Sequence, residues 1–156
     1  MIVGGGIANI LHRETLAMIV GSRLFERGEQ CFTAGRVVKT DAAPGELRGS
    51  VKPQEAGRAH YVTRIWMREE GLAYECTCPM GEKRQFCKHA VAIALAHLES
   101  ERRTVERDFA LLQQAMMTVT QESLVGGLLR LAKQDPDLAT ELKRVCLDAL
   151  QSQPPV

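Results

Sequence analysis

Aromatic side chains are scarce in this sequence: one Trp, two Tyr and four Phe make up 4 % of 156 residues. That scarcity argues against an extended stacking surface for bases. Charge of one sign is also missing. Lys and Arg total 20 against 19 Asp and Glu, so a net charge of +1 provides no global field toward nucleic acid or acidic lipid, and such binding needs a local basic patch. Long apolar runs are absent as well. The longest near the start, Met1 to Leu11, is broken by three glycines, lacks a basic region before it and is too short to span a bilayer. A cytoplasmic protein that does not enter membranes is expected. There thiols stay reduced, and an odd count of five cysteines points to metal binding or catalysis before disulfides.

What is present suits an ordinary globular chain, 45 % apolar and 25 % charged. Its length allows one domain with a small helical appendage and no second full-sized enzyme domain. The opening "IVGGGIAN" looks like a dinucleotide phosphate loop. It has only Met1 to Val3 as a preceding strand, Asn9 where the third glycine belongs, and no second strand to carry an acidic residue about 20 positions on. It reads instead as a leader running into a helix over Leu11 to Val20. After Gly21, Ser22 is a candidate N-cap for a short helix with Leu24, Phe25, Cys31 and Phe32 on one face, stopped at Gly35.

Four extended segments follow, Arg36 to Thr40, Leu47 to Lys52, Ala59 to Arg68 and Leu72 to Cys78, separated by "DAAPGE", "PQEAG" and "EEG". Links this short cannot carry a parallel crossover, so the segments predict an antiparallel four-stranded meander. His89 to Arg103 reads as a helix buried near its start, followed by a polar segment. Thr120 then caps a helix carrying Leu124, Val125, Leu128, Leu129 and Ala132. Asp135 and Pro136 begin another with Leu138, Leu142, Val145, Cys146 and Ala149 on its stripe. The expected fold class is α+β. Residues 1–21 are leader and short helix, 22–106 an α+β domain, and 107–156 a C-terminal helical hairpin with a frayed tail.

The stretch "CTCPMGEKRQFCKH" gathers three of the cysteines and one of four histidines. Alternation along a strand puts Cys76 and Cys78 on one face. Pro79 and Gly81 break the strand, and the eight residues between Cys78 and Cys87 let the chain return. Positions two apart inside a helix do not face each other, so Cys87 belongs in the turn before the helix and His89 in its first turn. Cys76, Cys78, Cys87 and His89 form a Cys₃His set suited to tetrahedral Zn²⁺. With every position filled by protein, the metal is structural. A redox pair of Cys76 and Cys78 leaves Cys87 and His89 unexplained. A cysteine nucleophile with His89 as base is the other alternative, and iron–sulfur ligation would discard the histidine. Cys31 and Cys146 fall on helical apolar stripes as small hydrophobes. His12, His60 and His97 read as surface or core histidines.

Two cysteines one residue apart, a gap, then a cysteine and histidine one residue apart at a helix start resemble the SWIM zinc finger. Cys76, Cys78, Cys87 and His89 match all four ligands, and "CTCP" and "FCKHAVAIAL" are similar to the family around them. "FERGEQCFTAGRV" and "ESLVGGLLRLAKQDPDLATEL" are similar to what stand-alone bacterial SWIM-domain proteins carry. The resemblance implies a ββα-like zinc unit, over about 60–100, appended to the sheet. It also implies a binding role toward DNA or proteins, in some members beside Swi/Snf-type ATPases, and no single activity.

Two function classes follow. In a nucleic-acid-binding module for DNA or RNA, Lys83, Arg84 and Lys88 would meet phosphates, Phe86 would stack, and Arg64 and Arg68 would assist from the third strand. In a protein-interaction adaptor, the hairpin or "ALLQQAMMTV" would dock on an ATPase, a helicase or another subunit. An enzyme is not expected, since no paired carboxylates, nucleophile with base or phosphate loop survives inspection.

Overall fold

The turn chemistry between residues 37 and 76 produces a four-stranded sheet in the order β1-β2-β3-β4, formed by Val37–Ala43, Glu46–Val51, Tyr61–Arg68 and Gly71–Cys76. Every neighbour pair is antiparallel, as the short links require. The computed structural model describes residues 11–69, 71–83 and 85–152. The glycine-rich opening "IVGGGIAN" therefore lies outside the described residues. The first link is shorter than expected, since Asp41 to Ala43 continue β1 and Gly45, at φ 77°, makes the turn.

Register decides which side chains face inward. Leu47 pairs with Ile65 and Gly49 with Thr63, while Ile65 pairs with Tyr74 and Thr63 with Cys76. These residues share the inner face, where Leu47, Thr63 and Ile65 are fully buried. Arg48, Arg64, Trp66 and Arg68 alternate onto the outer face.

Two helices precede the sheet, α1 over Arg13–Val20 and α2 over Ser22–Thr33. Gly21, at φ 77°, takes the N-cap position of α2 and no side chain caps it, so the chain turns at the glycine and Ser22 opens the helix. Phe25 and Cys31 are buried, with Leu24 and Phe32 packed against the core, as the spacing predicts. Gly28 is the contact point with the later helix α4, Lys88–Thr118: a Cβ on it would collide with the Val91 side chain. Between β4 and α4, Pro79–Glu82 form the short helix α3.

Helix α4 begins as a core element. Ala90 to Leu95 are all buried, so its first turns are enclosed on every side. It does not end near Arg103. It continues to Thr118, because residues 104–118 contain no Gly or Pro and are mostly strong helix formers. Glu99 also braces the exit from the core, accepting from Arg102 at 2.9 Å and Arg103 at 2.8 Å.

The chain divides into two units, Met1–Val105 and Glu106–Val156. In the second, α5 (Gln121–Gln134) and α6 (Pro136–Gln151) pack on each other. Their caps match the sequence. The Thr120 hydroxyl accepts from Ser123 N, and the Asp135 carboxylate accepts from Asp137 N and Leu138 N at 3.0 and 3.1 Å. None of the described residues of this unit is buried, and Cys146, expected on an apolar stripe, is exposed. No helix among the described residues is long and apolar enough to cross a membrane.

Candidate metal centre

The end of β4 and the start of α4 bring four side chains together. Cys76 is the last residue of β4, on the inner face opposite Thr63. Cys78 stands at the N-cap of α3 and its sulfur accepts from Gly81 N at 3.4 Å. Gly81 is required at this point, because a Cβ would run into the Cys76 carbonyl. Cys87 directly precedes α4 and its carbonyl accepts from Ala90 N at 3.1 Å, while His89 sits in the first turn. The three sulfurs and an imidazole nitrogen lie within 4.8 Å of one another, and all four residues are buried.

Neighbours orient these groups. The Thr63 hydroxyl donates to Cys76 Sγ at 3.2 Å, and His89 presents Nδ1 to the same sulfur at 3.9 Å. Tyr61 stacks on the His89 ring with centroids 4.5 Å apart. Strand β3 is locked to the ligand strand beyond the ladder: Val62 N donates to the Thr77 hydroxyl and Thr77 N to the Val62 carbonyl, both at 3.0 Å.

The electrostatics show what the cluster wants. Hydrogen bonds from Cys87, His89 and Thr63 hold the Cys76 thiol well below its usual range, which favours the thiolate. The Cys87 thiol is pushed up by its hydrogen bond to Cys76 and by burial. Several sulfur charges in one buried space repel, and a divalent cation removes that conflict by taking the place of the shared proton. Soft thiolates and one imidazole, four in number, fit a tetrahedral metal ion.

The remaining sequence-derived candidates are not gathered in one place. Lys83 is exposed at the C-cap of α3, and Lys88 is half-buried and donates to the Gln54 side chain at 3.4 Å. Phe86 packs on Tyr74, with ring centroids 4.3 Å apart, instead of projecting for stacking. Arg84 lies outside the described residues. Arg64 and Arg68 both rest over the Trp66 ring, at 4.8 and 5.3 Å, on the outer face of the sheet and away from the metal cluster. Arg64 is also bound to Glu46 at 2.5 Å, a carboxylate it shares with Arg48. Of the other histidines, His12 and His60 are exposed and His97 is buried.

Sequence reading missed Thr63 and Tyr61, whose alternation on the third strand was visible but whose pairing with the ligand strand was not. It also missed a cavity of about 540 Å³ beside the metal cluster, with Cys78, Cys87 and His89 in one wall and Arg27, Arg36 and Lys52 in others.

Comparison with known proteins agrees with this geometry. The family model described as SWIM zinc finger matches residues 61–98, the stretch from Tyr61 on β3 to Leu98 on α4. No curated protein and no solved structure matches the chain. Residues 61–98 are a SWIM zinc finger, and their Cys₃His group is a metal-binding site.

Proposed function

We propose that this chain is a non-enzymatic nucleic-acid-binding module whose finger is organised by zinc, with Cys76, Cys78, Cys87 and His89 as ligands. The observation that carries the reading is the closed donor set: four protein ligands, all buried and within 4.8 Å of one another, leave no position for water or substrate. When bound, the ion supplies a cross-link between the end of β4 and the head of α4. The chain's own residues do the rest. Thr63 supports Cys76, Tyr61 orients the His89 ring, and the α4 N-terminus faces the excess negative charge of three thiolates. A closed metal site gives the ion a structural role, and the cations Lys83 and Lys88, which flank the ligands in sequence, support phosphate contact on the surface around it.

The test is binding of the zinc-loaded chain to single- and double-stranded DNA as salt rises. Affinity that falls steeply with salt supports the reading, and absence of binding at low salt removes it.

A second reading, an adaptor that docks on a protein such as an ATPase or helicase, is favoured by one observation. In the second unit Phe109 and Met117 are 67 % and 84 % exposed. Affinity capture from the native cell with the full chain and with Phe109→Ser/Met117→Ser tests it: an ATPase or helicase lost with the variant supports docking there, and its retention excludes this surface.

A further inference from the structure

The cavity beside the metal cluster is walled by helix α2, by the residues that extend β1 and β2, and by the start of α4. Four cations line it: Arg27, Arg36, Lys52 and Lys88. Arg36 and Lys52 are cross-strand neighbours. Lys52 N donates to the Arg36 carbonyl at 2.8 Å, continuing the Val37–Val51 pairing by one residue. Like charges in that relation repel, and an anion bound between them would relieve the repulsion. Among the described residues, no acidic side chain pairs with Arg27, Arg36 or Lys52. Lys88 meets only the neutral Gln54, and Glu55, the acidic residue of the lining, is bound to Arg58 at 2.7 Å. At the same cavity, burial raises the Cys31 thiol pKa and the charges of Lys88 and Arg36 act against that rise.

Neutralising the metal cluster does not account for this set. Three thiolates and a neutral imidazole around a divalent ion leave roughly one excess negative charge, fewer than the cations present. The outer sheet face is the opposite case, since Glu46 already bridges Arg48 and Arg64 there.

The shape selects the form of the ligand. A volume of about 540 Å³ accepts a nucleotide-sized group and falls in the range of small-ligand pockets. Duplex recognition commonly places a helix in a major groove about 12 Å wide. Helix α4 cannot serve in that way along its first turns, because His89 to Leu95 and His97 are buried. Cations in a concavity are reached by one flexible backbone. Tyr61 and Met80, which also line it, offer apolar surface to a base.

We propose that this cleft binds a single-stranded nucleic-acid segment, with its phosphates on Arg27, Arg36, Lys52 and Lys88 and a base against Tyr61 and Met80. The proposal rests on the nucleic-acid reading above and adds the strand form and three contact residues outside the finger.

The experiment uses the full zinc-loaded chain and fluorescent oligothymidylate and oligouridylate of about 12 nucleotides, a typical single-strand site size. A duplex of the same length and polyglutamate serve as competitors, and anisotropy is followed against salt. Both single strands are expected to bind more tightly than the duplex or polyglutamate. Arg36→Gln combined with Lys52→Gln should weaken binding at least about tenfold and reduce the salt slope by about 1.4, two phosphate contacts at about 0.7 each. Zinc stoichiometry should stay unchanged. Arg27→Gln, an exposed position on α2 where folding is not at stake, should weaken binding in the same direction. If both variants bind as the unmodified chain does while Lys83→Gln weakens binding, the cleft is overturned and the nucleic-acid function stands. A preference for duplex overturns the single-strand assignment. Absence of nucleic-acid binding, with or without capture of polyglutamate, removes the function and the cleft together.

Discussion

Replacing Thr63 by Val tests whether the environment of the sulfurs, beyond the ligands themselves, sets metal affinity. Thr63 is fully buried, and its hydroxyl donates to Cys76 Sγ at 3.2 Å. Valine keeps the branched shape and fits the strand, so packing against Ile65 and Leu47 should survive. What disappears is one hydrogen bond to a charged sulfur. Such bonds contribute about 1.5–3 kcal/mol, which converts to a loss of about 10- to 150-fold in metal affinity at 1.4 kcal/mol per decade. That range agrees with the 10–100-fold effect usual for groups supporting metal ligands. The measurement is a competitive titration of zinc against a chromophoric chelator, with thermal unfolding of both proteins to confirm that the core is intact. Val should bind zinc more weakly at unchanged stoichiometry. Affinity within about twofold of the unmodified chain would refute the reasoning, because the hydroxyl would then contribute far less than a charged hydrogen bond. Thr77→Val is the comparison: its hydroxyl serves Val62 N instead of a sulfur, so zinc affinity should change less.

Other outcomes follow from the same structure. Structural zinc sites contribute on the order of 10–16 kcal/mol in isolated peptides, more than most domains' whole stability. Chelation should therefore unfold the segment from about Gly71 to Ser100, visible as lost amide protection there, and retained protection would mean the metal is dispensable. Gly28→Ala should destabilise the first unit by about 1–3 kcal/mol, since the new methyl enters the space of Val91; a denaturant midpoint at or above that of the unmodified chain would contradict the close approach. Glu46 is held at about 2 by its hydrogen bonds from Arg64 and Arg48, below its usual 4.5. A carboxyl whose folded pKa is depressed stabilises the fold above its unfolded pKa and loses that contribution as pH falls through the folded value. The stability difference between the unmodified chain and Glu46→Gln should therefore be constant above about pH 5 and shrink toward pH 2. A difference independent of pH in that window would show that the Arg pairs do not act on Glu46.

Local signals in the sequence reached a long way in this protein. The spacing of Cys76, Cys78, Cys87 and His89 named the metal group, because ligation needs only a few residues on either side of a tight turn. Thr120, Asp135 and Pro136 marked the helix starts for the same reason: a cap acts on the next three backbone N–H groups and no farther. Short turn-rich links were enough for an antiparallel meander. The length of α4 was less legible, since the polarity of residues 104–118 suggested a break while their helix propensity carried the chain on.

Composition and spacing thus determined the ligand set, the α+β class and the order of elements. Tertiary structure alone decided what surrounds the ligands. Arg68 pairs with Gly71, and a register slipped by one residue would have turned Thr63 and Tyr61 to the opposite face from Cys76. The cavity is likewise assembled from Arg27, Arg36, Lys52 and Lys88, which come from a helix, two strand ends and a second helix. No periodicity connects those positions. Their meeting depends on the sheet register and on the glycine-mediated approach of α2 to α4, both set by pairing between segments far apart along the chain.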